Sequence, residues 1–501
     1  MYQYPFGKRI LSFSSVLHAS ESLSSEPWIL NGDHNEVLKF AAGLVVFATI
    51  VFFRPHKKVT KKNRNDSPPR VPLTEREALI GLGGINKPWF LLDMMEKTGS
   101  DIYALTSNRH VVGDYKTTRE ILLDQTTVKP AFYKVYAALF GSDNMFAHTE
   151  NDQFWHNVRK SVNRSMSSNE VNRMNRICAE HLDNWIKNTL EPCIANNETF
   201  DPTHEMSRIT FKVISEATFE YHVTDEEYES FCHHLDIGKK EIQRMGFGNP
   251  LRKWYAPILV EHKVGMKSLA EVQAFGRKIL NSYRENSNKS TNNTVIKMLE
   301  TPGVCVDDTQ RIAEINTLFV SGHHTTADSI SSALLLLTKN PKIQSKLHST
   351  LGSMDSASRS KCQYMRDVIT ESNRLLPSTP LGSIRQLGRD FSCKDGSMTI
   401  PKGTEVYMPQ ILLHRNPRVF KNPADFIPER WENATEAMKS SMMTFSIGKR
   451  NCPGQSLALA EMYCILPKLL AEYKLELEDE GKLECYTTMG YIGARLKASK
   501  I

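Results

Sequence analysis

The sequence predicts a mainly α protein with a minor β component, and three observations carry that expectation. Apolar residues recur at helical spacing over long stretches, as at Ile312, Ile315, Leu318 and Phe319. Strand-like runs such as "IYALTSN" (102–108) and "TEVYM" (404–408) are short and few. The 501 residues, 40% hydrophobic and 24% charged, suit a globular chain that buries a large core, as one big domain or two ordinary ones.

Charge and cysteine usage narrow the function classes. The net charge of +7, from 63 basic against 56 acidic residues, is too slight over this length to argue for nucleic acid. The nine cysteines are odd in number, scattered, and free of any CxxC pair. That suggests neither a disulfide framework nor a zinc site and suits a reducing compartment.

Taken in order, the chain opens with a serine-rich segment, 1–36, then an apolar run, 37–53, "VLKFAAGLVVFATIVFF". The run is 17 residues long with one charge, Lys39, near its end, where it can snorkel. Arg54, Lys57, Lys58, Lys61, Lys62 and Arg64 follow it, whereas the preceding 36 residues hold only Lys8 and Arg9 against four acids. The bias predicts a transmembrane anchor with everything downstream in the cytosol. A cleaved signal peptide would start nearer Met1 and end in small residues, and a buried core helix is the other alternative. Residues 54–75 form a basic, proline-rich hinge ("NDSPPRVPL"), and 76–501 the catalytic domain. Segment 1–36 is either a lumenal tail of an endoplasmic reticulum protein or part of a sequence targeting another organelle membrane.

Within the catalytic domain, "FWHNVRK" sets Trp155 and Arg159 four apart on one helix face. Gly322 interrupts a helix in "SGHHTTADS", at a cost of about 1 kcal/mol relative to alanine, so it needs a reason to be there. "ESNR" places Glu371 and Arg374 at i and i+3, able to pair. "FSIGKRNCPG" (445–454) holds Cys452 between Gly448 and Gly454, with Arg450 two places before it. Glycine permits tight turns and close backbone approach. "QSLALAEMYCIL" then reads as a helix, so Cys452 precedes a positive helix N-terminus that favours thiolate. A metal-ligating thiolate needs that combination.

"FSIGKRNCPG" resembles the haem-binding loop of the cytochrome P450 family, FxxGx(R/H)xCxG, at Phe445, Gly448, Arg450, Cys452 and Gly454. "ESNR", "FIPERW" (426–431) and the modified (A/G)Gx(D/E)T(T/S) stretch at 321–326 follow the same family order. The resemblance spans about residues 75–501. It implies the P450 fold, a triangular helical domain plus a small β-rich part around a buried haem. It also implies Cys452 as axial ligand of the haem iron, Arg450, Arg385, Trp155 and Arg159 as contacts to haem propionates, and Glu371, Arg374 and Arg430 as a buried triad behind the haem loop. Gly322 would clear a groove for dioxygen and Thr325 would help deliver protons.

One position departs from the family pattern: His324 stands where an acid is usual. Either His324 and Asp328, four apart on the helix, pair and relay protons to Thr325, or His324 points into a neighbouring helix and water supplies them. The implied activity is a haem b monooxygenase acting with O2 on a lipophilic substrate such as a sterol, fatty acid or isoprenoid. Electrons would come from NADPH through a flavoprotein reductase docking near Lys160, Arg164, Lys449 and Lys468. Segments 140–147, the helix up to Val320, 379–381 and 489–491 would line the pocket. A reductase-independent isomerase or dehydratase acting on lipid peroxides, which the lost acid permits, and a non-catalytic haem protein are the alternatives.

Overall fold

In a computed structural model, which describes residues 66–501 apart from 167, 248–251, 287–293 and 394–395, helices carry most of the chain. The tail (1–36), the anchor (37–53) and most of the hinge lie outside the described residues. No helix among the described residues is long and apolar enough to cross a membrane.

The helices that position the site are α1 (Glu75–Gly83), α2 (Lys87–Thr98), α3 (Gln153–Arg164), α4 (Ser168–Trp185), α5 (Pro202–Phe219), α6 (Asp225–Phe247), α7 (Val260–Asn286), α8 (Asp308–Lys339), α9 (Gln363–Leu375) and α10 (Gln455–Glu472). Their starts follow local chemistry. Asp152 accepts from Trp155 N at the head of α3, Asp307 accepts from Gln310 N at the head of α8, and Thr74 with Glu77 forms a capping box on α1.

At 32 residues α8 is about 48 Å long. It packs on α5 and α7 and buries most of its length. Phe211, Phe231, Phe275 and Phe319 pack their rings together where α5, α6, α7 and α8 meet, with ring centroids 4.5–5.9 Å apart.

The main sheet has four strands in the order β1-β2-β6-β3: β1 (Ile102–Ala104), β2 (Arg109–Val112), β3 (Ser383–Gln386) and β6 (Glu405–Met408). β2 runs parallel to β6, and the other pairs are antiparallel. Both faces are covered. Tyr103, Val111, Ile384 and Tyr407 belong to one apolar cluster, while Ile102, Val112, Val406 and Met408 belong to another, as the two-residue period of a strand requires. Three two-stranded ribbons complete the β part: β4 (Phe391–Cys393) with β5 (Met398–Ile400), β7 (Tyr473–Asp479) with β10 (Arg495–Lys500), and β8 (Lys482–Cys485) with β9 (Met489–Ile492).

Candidate active site

The cysteine loop is shaped by two left-handed residues, Ser446 (φ 57°) and Gly448 (φ 77°). Gly448 is required twice over, because a Cβ there would also lie 2.7 Å from the Leu122 carbonyl oxygen. Cys452 N donates to Phe445 O at 2.8 Å, which closes the loop between the two motif residues. Gly454, expected to give the sulfur clearance, caps α10. A Cβ there would meet only Cys452 Sγ, at 3.9 Å, so its N–H counts for more than its missing side chain. Burial pushes the Cys452 thiol above its usual range, against the pull of the Gly454 N–H and Arg159.

The loop is anchored from behind by a network the sequence shows only in part. Glu371 and Arg374 are fully buried and paired twice, with Arg374 Nε on Oε2 at 2.8 Å and Nη2 on Oε1 at 2.9 Å. Arg430 Nε donates to Oε1 at 2.9 Å, as do Ile427 N at 2.9 Å and, to Oε2, Trp431 Nε1 at 3.0 Å. Arg374 also donates to the carbonyls of His414, Pro423 and Asp425.

His414 makes the connection to the cysteine loop. Its Nε2 accepts from Met443 N at 3.1 Å, which assigns the proton to Nδ1, 3.3 Å from Asn373 O. Burial holds this imidazole near pH 3, so it stays neutral and able to accept. Gln410 Nε2 donates to Met443 O and Thr444 O, both at 2.9 Å. Neither His414 nor Gln410 belongs to a motif, and both come from segments far from Cys452 in sequence.

Cys452 faces a cavity of about 380 Å³ whose lining includes Trp155, Arg159, Gly322, Thr325, Arg385 and Arg450. Phe140, Met145 and Phe146, Thr379 and Leu381, and the middle of α8 through Thr317, Leu318 and Val320 line it as expected. Of the C-terminal part, residues 486–488 face it in place of 489–491. Trp155 Nε1 donates to Met145 O at 3.2 Å and Arg159 Nη1 to Asn451 O at 2.7 Å. Arg450 lies over the Trp155 ring, 4.1 Å from its centroid, and donates to Asn151 Oδ1, Met145 O, His148 O and Glu150 O. Arg385, from β3, donates to its neighbour Ile384 O and to no other group among the described residues.

Across the cavity, Thr325 Oγ1 donates to Ser321 O at 2.8 Å, leaving its lone pairs free to accept. Gly322 has a packing reason beyond any groove: a Cβ would lie 1.9 Å from Ile214 Cδ1 of α5. Of the two arrangements left open for His324, the pair with Asp328 is not among the contacts of the described residues. His324 Nε2 is buried without a partner, while Asp328 bonds Thr488 and packs against Gly490. Helical spacing put the two within reach, but the β8–β9 turn competes for the carboxylate and takes it. His323 is a core residue, its Nδ1 on Phe319 O at 2.7 Å, and burial lowers it to about pH 3.

The sequence profile of the cytochrome P450 family matches residues 78–499. The chain belongs to the cytochrome P450 family. A crystal structure of a cytochrome P450, CYP102L1, superposes with a TM-score of 0.70 at 20% identity, over 82% of this chain and 97% of that one, which supports the P450 fold. "Cytochrome P450 4d8" of Drosophila melanogaster is 35% identical over 34% of this chain. Human "Cytochrome P450 4V2" is 38% identical over 32% of it. These matches span 39% and 32% of those relatives' own lengths. "Cytochrome P450 monooxygenase ORF9" of Penicillium roqueforti is 26% identical over 70% of this chain and 71% of its own.

P450 membership implies haem, and the residues present fit one. Lys129 and Arg385, both buried, and Arg159 and Arg450, both half-buried, line the same cavity, and among the described residues none of them makes an ion pair with a carboxylate. Their partners are carbonyls, amides and aromatic rings. Burial and mutual repulsion pull Arg450 down to about 9 and Lys129 well below the usual lysine range. Buried cations without counter-charge are costly, and a group bearing two carboxylates, such as haem, supplies it. Lys129, outside every motif, is a member that sequence reasoning missed.

Proposed function

We propose that this chain is a haem-thiolate monooxygenase that inserts one atom of dioxygen into a lipophilic substrate, with electrons passed from NADPH by a flavoprotein reductase. The observation that carries the reading is the cavity itself, with one thiol, Cys452, on one wall, four cations lacking carboxylate partners beside it, and Gly322 and Thr325 facing it on α8. Haem, when bound, supplies the redox chemistry that no side chain can. Cys452 would hold the iron, with the Gly454 N–H tuning the sulfur. Arg159, Arg385, Arg450 and Lys129 would hold the propionates, with Trp155 stacked beneath Arg450. Phe445 and Gly448 shape the loop, and Glu371, Arg374, Arg430 and His414 fix its position. Thr325 Oγ1 is the group suited to hand on a proton, its hydroxyl resting on Ser321 O until needed. His324, facing the cavity beside it, takes part alone or through water, without Asp328.

Phe132, Tyr136, Phe140, Phe146, Leu318 and Leu381 give the cavity mostly apolar walls, which supports a lipophilic substrate. Membrane association is supported by the 37–53 segment and by exposed Trp254 (77%), Ile258 (66%) and Val260 (74%), close together ahead of and at the start of α7. The endoplasmic reticulum, with the catalytic domain cytosolic, is the compartment this favours. Lys160, Arg164 and Lys449 are exposed and suit a reductase face, whereas Lys468 is already paired with Asp183 and drops out. His324 in place of an acid favours a second reading, a rearranging enzyme that acts on lipid peroxides without reductase. Membranes carrying the protein and a reductase, fed a lipid extract under labelled dioxygen, separate the two. Labelled product only with NADPH supports the monooxygenase. Loss of hydroperoxides without NADPH or label refutes it in favour of rearrangement.

A further inference from the structure

Of the nine cysteines, the proposed chemistry uses Cys452 alone. Two of the others meet where α4 packs on α10: Cys178, with no exposed surface, and Cys464, half-buried. Neither is among the residues that line the cavity. The contact is built by the helices as well as by the thiols. Cys178, Leu182 and Ile465 belong to one apolar cluster, Cys464 packs against it, and about one turn further along both helices Asp183 and Lys468 form an ion pair. The two thiols hydrogen-bond to each other.

Their surroundings make the two thiols unequal. Contact with Cys178 holds the Cys464 thiol below its usual range against the effect of burial, with Lys468 adding to the pull and Asp183 opposing it. The same contact, together with burial and the nearby Glu461, pushes the Cys178 thiol well above its range. Cys193 and Cys232 are also half-buried, yet burial pushes both of them up, the second to about 12. A partly exposed thiol with thiolate character beside a buried second thiol is the arrangement of an attacking cysteine and a resolving one.

We propose that Cys464 and Cys178 form a reversible thiol–disulfide site that hydrogen peroxide closes and thiol reductants reopen. The Cys464 thiolate attacks one peroxide oxygen, the O–O bond breaks, and the departing hydroxide takes the proton that Cys464 gave up, leaving a sulfenic acid and water. The Cys178 sulfur then attacks the Cys464 sulfur, the S–O bond breaks, and the second hydroxide leaves as water with the Cys178 proton. Two thiols are oxidised to one disulfide while one peroxide is reduced to two waters. The bond joins α4 to α10, the helix that begins directly after the Cys452 loop, so closing it ties that helix down. The site goes beyond the haem-thiolate reading and does not depend on it.

The test treats the full-length holoprotein with hydrogen peroxide, blocks the remaining free thiols with N-ethylmaleimide, and maps the unreduced chain by mass spectrometry. Trypsin with a glutamate-specific protease separates Cys464 from Cys452 by cutting after Glu461. The expected product is a linked pair of peptides carrying Cys178 and Cys464, lost on treatment with dithiothreitol. Cys464→Ser should abolish it, and Cys178→Ala should leave Cys464 as a sulfenic acid that dimedone captures. Cys193→Ser should leave the link unchanged. Closing the link should raise Tm by about 2–5 °C, reversed on reduction. Cys464 still free after peroxide, Cys464 oxidised in the parent while Cys178 stays free, or Cys178 joined to a different cysteine would each overturn the proposal. A link that lowers Tm would overturn it too, because the bond would then form only by distorting the helices.

Discussion

Replacing Glu371 by glutamine keeps the shape of the side chain and removes its charge, and the consequences can be worked from its surroundings. The carboxylate accepts five hydrogen bonds, two from Arg374 and one each from Arg430, Ile427 N and Trp431. Counting each at about 1.5–3 kcal/mol would overstate the loss, because the donors share one acceptor and their contributions are not additive. The better guide is the cost of breaking a buried ion pair and stranding its partner, about 3–5 kcal/mol. Arg374 is the stranded partner, with no exposed surface. Arg430→Ala, which leaves the Glu371–Arg374 pair intact, should cost less, about 1.5–3 kcal/mol. In thermal scans at fixed rate, Glu371→Gln should lower Tm by at most about 10 °C, and Arg430→Ala by less. Because Arg374 also holds the His414 carbonyl, and His414 holds Met443 N, Glu371→Gln should lower the haem-loaded fraction as well as Tm. A Tm within about 2 °C of the parent would refute the reasoning, as would Arg430→Ala costing as much as Glu371→Gln.

Two further outcomes follow from packing and burial. Gly322→Ala drives its new methyl group into Ile214 Cδ1, so Ile214 must swing toward the cavity; the clash, about 1–3 kcal/mol, outweighs the helix propensity gained, about 1 kcal/mol. Adding Ile214→Val should recover both stability and ligand affinity, and a double-mutant cycle with no coupling would show that Ile214 yields freely. Burial raises Glu314 to about 8, with Oε1 accepting Met145 N and Oε2 unpartnered. Between the ordinary glutamate range and pH 8 the folded chain then holds a proton that the unfolded chain has lost, so stability from this group falls as pH rises, by about 5 kcal/mol at most. Glu314→Gln should remove that slope, its Tm advantage growing from pH 5 to pH 8; an advantage that stays flat across the range would contradict it.

What the sequence made legible is what short-range spacing determines. The tight turn at Gly448, the i, i+3 pairing of Glu371 with Arg374, and the helix that begins after Gly454 are all local, and each is found where the sequence put it. His324 and Asp328 show where locality ends. Their spacing allows a pair, yet the choice between partners four residues away and 160 residues away belongs to the tertiary fold, and Thr488 takes the carboxylate. His414, Gln410 and Lys129 were invisible for the same reason: each matters through a partner on a distant segment, and none carries a pattern of its own.

The same distinction separates the parts of the site from the site as a whole. Beside Cys452, several cations arrive from four places in the chain, 129, 159, 385 and 450, and only their convergence shows that something doubly negative is missing between them. A motif assigns three of those positions one at a time, but the lack of carboxylate partners is a property of the assembled site. A group bearing two carboxylates, such as haem, would answer for that lack, and no single position in the sequence could have shown that it was needed.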